Sequence, residues 1–149
     1  AASGGLPLLS DGSELSLGLG SLDACNTGGR LWSSAVVLCR WQQQTVSDLR
    51  GKAVLELGCG TGAVGIFAAA ACNASKVTLS DGGPAALLAL AAANVDANSH
   101  FWTSCDVPVQ VEVVQYAWGK PPNPVDSLGG YDFVLGSDIT YAVEAHEAL

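Results

Sequence analysis

The stretch "AVLELGCGTGAVGIFAAA", residues 53–70, decides how the rest of the chain is read. A short apolar run comes first, then a turn dense in glycine, then a run of small residues suited to a helix. The glycines parse in two ways. Gly60, Gly62 and Gly65 spell G-x-G-x-x-G, the pattern of a dinucleotide-binding turn. Gly58, Gly60 and Gly62 spell G-x-G-x-G, with Glu56 two positions upstream. In both readings glycine lets the backbone approach a ligand closely, and the helix start presents free N–H groups. The glycines alone leave the ligand open.

The flanking sequence continues the alternation. Apolar residues Leu31, Ala35, Leu38 and Trp41 approximate helical spacing over residues 31–46. "AVLEL" is apolar on both faces, as a parallel-sheet strand should be. A helix is expected over residues 62–72, and a second strand, "KVTLS", ends at Asp81. Pro84 stands where a helix tolerates proline, and that helix is expected to run to about residue 98. "VQVEVVQYAW" reads as a third strand, residues 119–130 as a Pro/Gly loop, "YDFVLGSDI" as a fourth strand, and "AVEAHEAL" as the opening of a further helix. Strands alternating with helices predict a doubly wound, mostly parallel α/β sheet of Rossmann-like type. Residues 1–29 read as an N-terminal extension with a short hairpin, and residues 30–149 as the ligand-binding domain. The chain stops inside the last expected helix, so the reading favours a sheet lacking its last strands.

Composition narrows the function. Of the 149 residues, 49% are hydrophobic and 13% charged, which fits one globular domain. The net charge of −8 disfavours nucleic acid as partner and suits a cationic cofactor or a basic protein. No membrane span is expected. The five cysteines include no C-x-x-C, and with only His100 and His146 beside them no metal site emerges. Reduced thiols in a cytoplasmic protein are the expectation. Cys59, inside the turn, reads as a small filler, and Trp41 and Trp102 as packing residues.

Two acids then weigh on the ligand. Glu56 lies near the carboxyl end of the first strand, where a dinucleotide would place its diphosphate. A carboxylate there repels phosphate and attracts a cation. S-adenosylmethionine carries an ammonium and a sulfonium and no phosphate. Asp81 follows Gly62 by about 20 residues, the distance at which an acid meets ribose hydroxyls. It supports a nucleoside without fixing its identity.

The succession "GGRLWSSAVVL", "LRGKAVLELGCGTGAVGI", "TLSD", "YAWG" and "YDFVLGSDITY" resembles class I, seven-strand S-adenosylmethionine-dependent methyltransferases. More narrowly, it resembles the protein-lysine methyltransferases often called methyltransferase family 16. Their D-x-x-Y after the fourth strand is matched by Asp138 to Tyr141. The resemblance implies that Trp32 and Arg30 close over the methionyl end of S-adenosyl-L-methionine. It implies that Glu56, Gly58 and Gly60 form the cradle and that Asp81 binds ribose. Trp118 would pack beside adenine, and Ser137 would line the pocket by its backbone. Asp138 and Tyr141 would stand at the substrate entrance as the catalytic pair. The implied activity is methylation of lysine in a protein substrate by a monomer. A catalytically inactive cofactor-binding module and an NAD-dependent oxidoreductase are the competing readings.

Overall fold

The structure is a computed structural model that describes residues 6–103, 109–120 and 130–147. Its framework is four parallel strands: β1 (Ala53–Leu57), β2 (Lys76–Asp81), β3 (Gln110–Gln115) and β4 (Phe133–Gly136), in the order β3-β2-β1-β4. β1 pairs with β2 on one side and β4 on the other, with Glu56 opposite both Leu79 and Leu135. The chain therefore steps outward from β1 to β3 and returns to the opposite side of β1. That reversal opens a crevice at the carboxyl ends of β1 and β4, where α/β sheets bind ligands. The α/β class and the mostly parallel Rossmann-like sheet agree with the sequence reading.

Between β1 and β2 runs α3 (Ala63–Cys72), with Gly62 as its N-cap in left-handed conformation. Nearly every α3 side chain is buried, because the helix is sandwiched between the sheet and α2 (Ser33–Thr45). Ile66, Phe67, Val54, Val77 and Leu79 form the densest part of the core. Burying each contributes about 1.5–3 kcal/mol relative to exposure. The third glycine of the literal G-x-G-x-x-G, Gly65, explains the tight fit. A Cβ there would collide with the Leu79 side chain and come within 2.8 Å of Glu56 Oε2.

Several expectations need correction. The buried face of α2 is Val36, Cys39 and Gln42, so Trp41 is turned outward and 43% exposed rather than packed. Gln42 was drawn inward by an acceptor that periodicity cannot show: its Nε2 donates to the Val64 carbonyl of α3. Trp102, on α5 (His100–Thr103), is buried as expected. The expected hairpin within residues 1–29 does not form among the described residues. There the chain has a turn, an extended run, then α1 (Leu22–Cys25) and a 3-10 turn, Asn26–Gly29.

The extended run takes its hydrogen bonds from α4 (Ala85–Asn98) instead of from another strand. Asn98 Oδ1 accepts from Ser16 N–H at 2.9 Å, and its Nδ2 donates to the Ser16 carbonyl at 2.7 Å. Asn94 does the same for Gly18, at 2.7 and 3.1 Å. Two buried amides four residues apart on one helix face thus imitate a neighbouring strand at every second residue. With Leu9 and Cys25 buried, residues 6–29 share the domain's core and do not stand apart from it. At the other end, the expected helix after residue 141 is a 3-10 turn, Val143–Ala145, among the described residues. Residues 121–129, most of the expected loop, and Cys105 lie outside the described residues.

Candidate functional site

A cavity of about 630 Å³ fills the crevice at the strand ends, a size typical of small-ligand sites. The residues singled out from the sequence line it together: Arg30, Trp32, Glu56, Gly58 and Gly60 on one side, and Asp81, Trp118, Ser137, Asp138 and Tyr141 around the rest. They come from five separate stretches of chain.

Glu56 sits at the floor. It is only 3% exposed, and its Oε2 accepts the Gly65 N–H at 2.8 Å. Gly65 is in the first turn of α3, where N–H groups lack partners within the helix. A dinucleotide turn leaves these groups for the diphosphate; here one of them is already taken by an acid. Both glycine parsings therefore describe the same turn. Gly65 serves helix–strand packing, and Gly58 and Gly60 serve the cavity. Burial pushes the Glu56 carboxyl up to about 8, the Gly65 hydrogen bond opposes that shift, and the nearby Asp81 charge adds to it. The sequence reading takes Glu56 as a fixed negative charge; burial instead favours its neutral form unless a cation compensates it.

Gly58 and Gly60 have φ of +61° and +54°, which side chains rarely adopt. A Cβ at Gly60 would stand 2.7 Å from the Gly28 carbonyl, so the N-terminal segment closes directly on the turn. A Cβ at Gly58 would meet Ile139 at 2.8 Å and Trp118 at 3.4 Å. Trp118 thus packs at the cradle itself, half-buried beside the turn.

Asp81 ends β2 and braces both sides of the turn. Its Oδ2 accepts Gly60 N–H at 2.9 Å and its Oδ1 accepts Gly83 N–H at 2.8 Å. It does not cap α4, whose N-cap is Pro84 without a side-chain bond. Trp32 is 44% exposed, with its indole N–H on the Thr27 carbonyl at 3.1 Å. That bond turns the ring toward the cavity rather than into the core. Tyr141 is 77% exposed at the mouth, which rules out a buried structural tyrosine. Asp138 holds a left-handed φ of +57°. Its Oδ2 accepts from Ser34 Oγ at 2.6 Å, and Ser34 Oγ accepts from Ser137 Oγ at 2.9 Å. Ser137 therefore contributes its hydroxyl to the rim as well as lining the cavity.

Sequence reasoning missed the wall formed by Cys25, Asn26, Thr27 and Gly28. The paired glycines 28 and 29 were the available signal. It also missed Asn94, whose Nδ2 donates to the Thr61 carbonyl in the turn at 2.9 Å. Nothing in an alanine-rich helix marks that residue. Cys59 is buried, and desolvation raises its thiol well above the usual range, as suits a filler and not a nucleophile. Among the described residues no group of His, Cys, Asp and Glu could hold a metal ion, and no helix is long and apolar enough to cross a membrane.

The sequence is similar to those of known proteins. A family described as lysine methyltransferase matches residues 11–149. The chain is 40% identical over 123 residues to protein N-lysine methyltransferase METTL21A of Danio rerio, covering 80% of this chain and 50% of that protein. It is 35% identical over 132 residues to EEF1A lysine methyltransferase 3 of Mus musculus, with 87% and 51% covered. It is 38% identical over 124 residues to histone-arginine methyltransferase METTL23 of Rattus norvegicus, with 82% and 50% covered. The chain thus spans about half the length of the curated relatives it matches. The family match takes in the stretch around Ser16 and Gly18 that Asn94 and Asn98 hold, along with every strand that meets at the crevice. The chain belongs to the lysine methyltransferase family.

Proposed function

We propose that the protein transfers methyl groups from S-adenosyl-L-methionine to a lysine side chain of a protein substrate. The observation that carries this reading is the Glu56 carboxyl on the Gly65 N–H at the cavity floor. An acid in that position suits a cationic ligand, and by holding the Gly65 N–H it withholds a donor that a dinucleotide turn would offer to a diphosphate, which weighs against the NAD alternative. The donor set fits the cofactor in other respects. Asp81 keeps carboxylate lone pairs beyond the two engaged by Gly60 and Gly83, and these suit ribose hydroxyls. Gly58 and Gly60 admit close backbone approach, and Trp118 offers an aromatic face beside them. Arg30 and Trp32 would close the methionyl end.

When bound, S-adenosylmethionine supplies an activated methyl group. The chain's residues must then hold the acceptor in line and keep its amine neutral. Free lysine has a pKa of about 10.4, and a narrow channel lowers it by desolvation. The cavity mouth between Trp32 and Tyr141 provides such apolar walls. Asp138 would accept a hydrogen bond from the incoming amine. Its Oδ2 already takes the Ser34 hydroxyl, which leaves Oδ1 to orient the amine.

Lysine as acceptor, the monomeric state and a cytoplasmic setting belong to this proposal. The free buried thiols Cys25, Cys39, Cys59 and Cys72 support a reducing compartment. The competing reading is a module that binds cofactor without turning it over. Calorimetry with S-adenosylhomocysteine and with NADH tests the cofactor: binding of the first and not the second is expected. Transfer of labelled methyl to a hypomethylated lysate, read out at lysine after hydrolysis, separates enzyme from module. Label on arginine alone would overturn the lysine assignment.

A further inference from the structure

Asp138 occupies a left-handed backbone conformation, uncommon for L-residues though more accessible to Asp and Asn than to most, and its surroundings hold it there. Two contacts do so. Ile139, the next residue, lies against two glycines: a Cβ at Gly58 would approach it to 2.8 Å, and a Cβ at Gly136 would collide with it. On the other side, Ser34 donates its hydroxyl to Asp138 Oδ2 at 2.6 Å, a charge-assisted distance. Ser34 has one O–H, so the Ser137 hydroxyl, 2.9 Å away, donates to Ser34. The result is a directed relay, Ser137 to Ser34 to Asp138, in which each bond polarises the next. Ser34 stands in the first turn of α2, a helix anchored in the core through Val36, Cys39 and Gln42. It lines the neighbouring surface groove and not the large cavity, so it reaches the cavity only through its hydrogen-bond partners Asp138 and Ser137.

We propose that Ser34 is a positioning residue: it pins Asp138 to α2 and thereby fixes the segment 137–141, with Tyr141 at its end, over the cavity mouth. The pin leaves Asp138 Oδ1 as the oxygen presented to the acceptor amine. Because α2 also follows directly on Trp32, its N-cap, one rigid helix start sets both sides of the entrance. This role rests on the methyl-transfer reading above, whereas the pin itself is a matter of geometry.

Ser34→Ala and Ser34→Thr in the same chain test it. In Ser34→Ala, amide hydrogen exchange across residues 137–141 should quicken about fivefold, the scale of one net hydrogen bond, with exchange in α3 and β1 unchanged. S-adenosylhomocysteine affinity should stay within about twofold by the same measure, since Ser34 does not line that cavity. In label transfer, with initial rate followed against lysate concentration, apparent KM should rise about fivefold while kcat changes little. Ser34→Thr, which keeps the hydroxyl, should restore both. Unchanged exchange at 137–141, or a threonine variant as impaired as the alanine one, overturns the pin. A fall in kcat alone overturns the positioning role. A wild-type chain that transfers no label sinks the methyl-transfer reading and the catalytic meaning of Ser34 with it, and the exchange result distinguishes that outcome from failure of the pin.

Discussion

Glu56 and Asp138 line the same cavity, and each is tied to the first turn of a helix. Glu56 accepts the Gly65 N–H of α3, and Asp138 accepts the Ser34 hydroxyl of α2. Their surroundings are otherwise opposite. Glu56 is sealed under the turn, and burial pushes its carboxyl to about 8, while Asp138 is exposed at the rim. The same functional group is thereby given two tasks. The buried acid, only 3% exposed, is sensitive to the charge of whatever fills the floor. The rim acid keeps its solvent, and under the proposed function it would orient the incoming amine. Position in the fold, not residue type, makes the difference.

The largest effect that could break this comparison comes from Gly65→Ala. The added Cβ must displace Leu79, which is fully buried, or push Glu56 off its N–H donor. Overpacking of this kind should cost about 3 kcal/mol and lower Tm by roughly 10 °C in a domain of this size. A melting curve within about two degrees of wild type would show that the glycine is not needed for packing. Next in size is Glu56→Ala, which should weaken S-adenosylhomocysteine about a hundredfold by calorimetry, since the ligand's ammonium loses its buried partner. Retained affinity would remove Glu56 from the cation site.

A third test sharpens the contrast through pH. The Glu56 carboxyl is raised in the folded state from 4.5 to about 8, so the native chain binds the proton that the unfolded chain releases. Stability from this group is complete below pH 4.5, declines as pH rises toward about 8, and is level above that. The total loss is roughly 5 kcal/mol at most. Glu56→Gln should abolish this slope in denaturant melts recorded without ligand and be more stable than wild type at pH 9. Cofactor affinity has the opposite sign: a cation favours the carboxylate, so binding should tighten as pH rises toward 8. The smallest effect is expected at the rim. Asp138→Asn keeps a residue that tolerates the left-handed backbone, and should change stability by less than about 0.5 kcal/mol. A large loss there would mean that Asp138 is structural in the way Glu56 is.

Much of the fold was legible because it is written in local chemistry. β1, α3, β2 and α4 all lie where strand-like apolar runs, the glycine turn and Pro84 place them. The N-terminal segment was misread as a hairpin because its partners, Asn94 and Asn98, are 76 and 82 residues away. Alternation in the sequence fits any neighbour with donors and acceptors, and a pair of amides satisfied it as well as a strand would. Trp41 was misplaced for a related reason. Apolar spacing named a face of α2, but the buried hydrogen bond from Gln42 to α3 turned the helix and left the tryptophan in solvent.

The chain's local chemistry was enough to specify a parallel α/β sheet, the position of its first crossover, and a set of acids and aromatics that line one cavity. Those depend on periodicity, glycine freedom and residue type, which are local. Long-range packing set the burial that raises the Glu56 carboxyl, gave Gly65 its place against Leu79, and brought Ser34 to Asp138 across 104 residues of chain. Ionisation and hydrogen-bond partners depend on which groups surround an atom and how much water remains beside it, and those are set when distant segments close on one another.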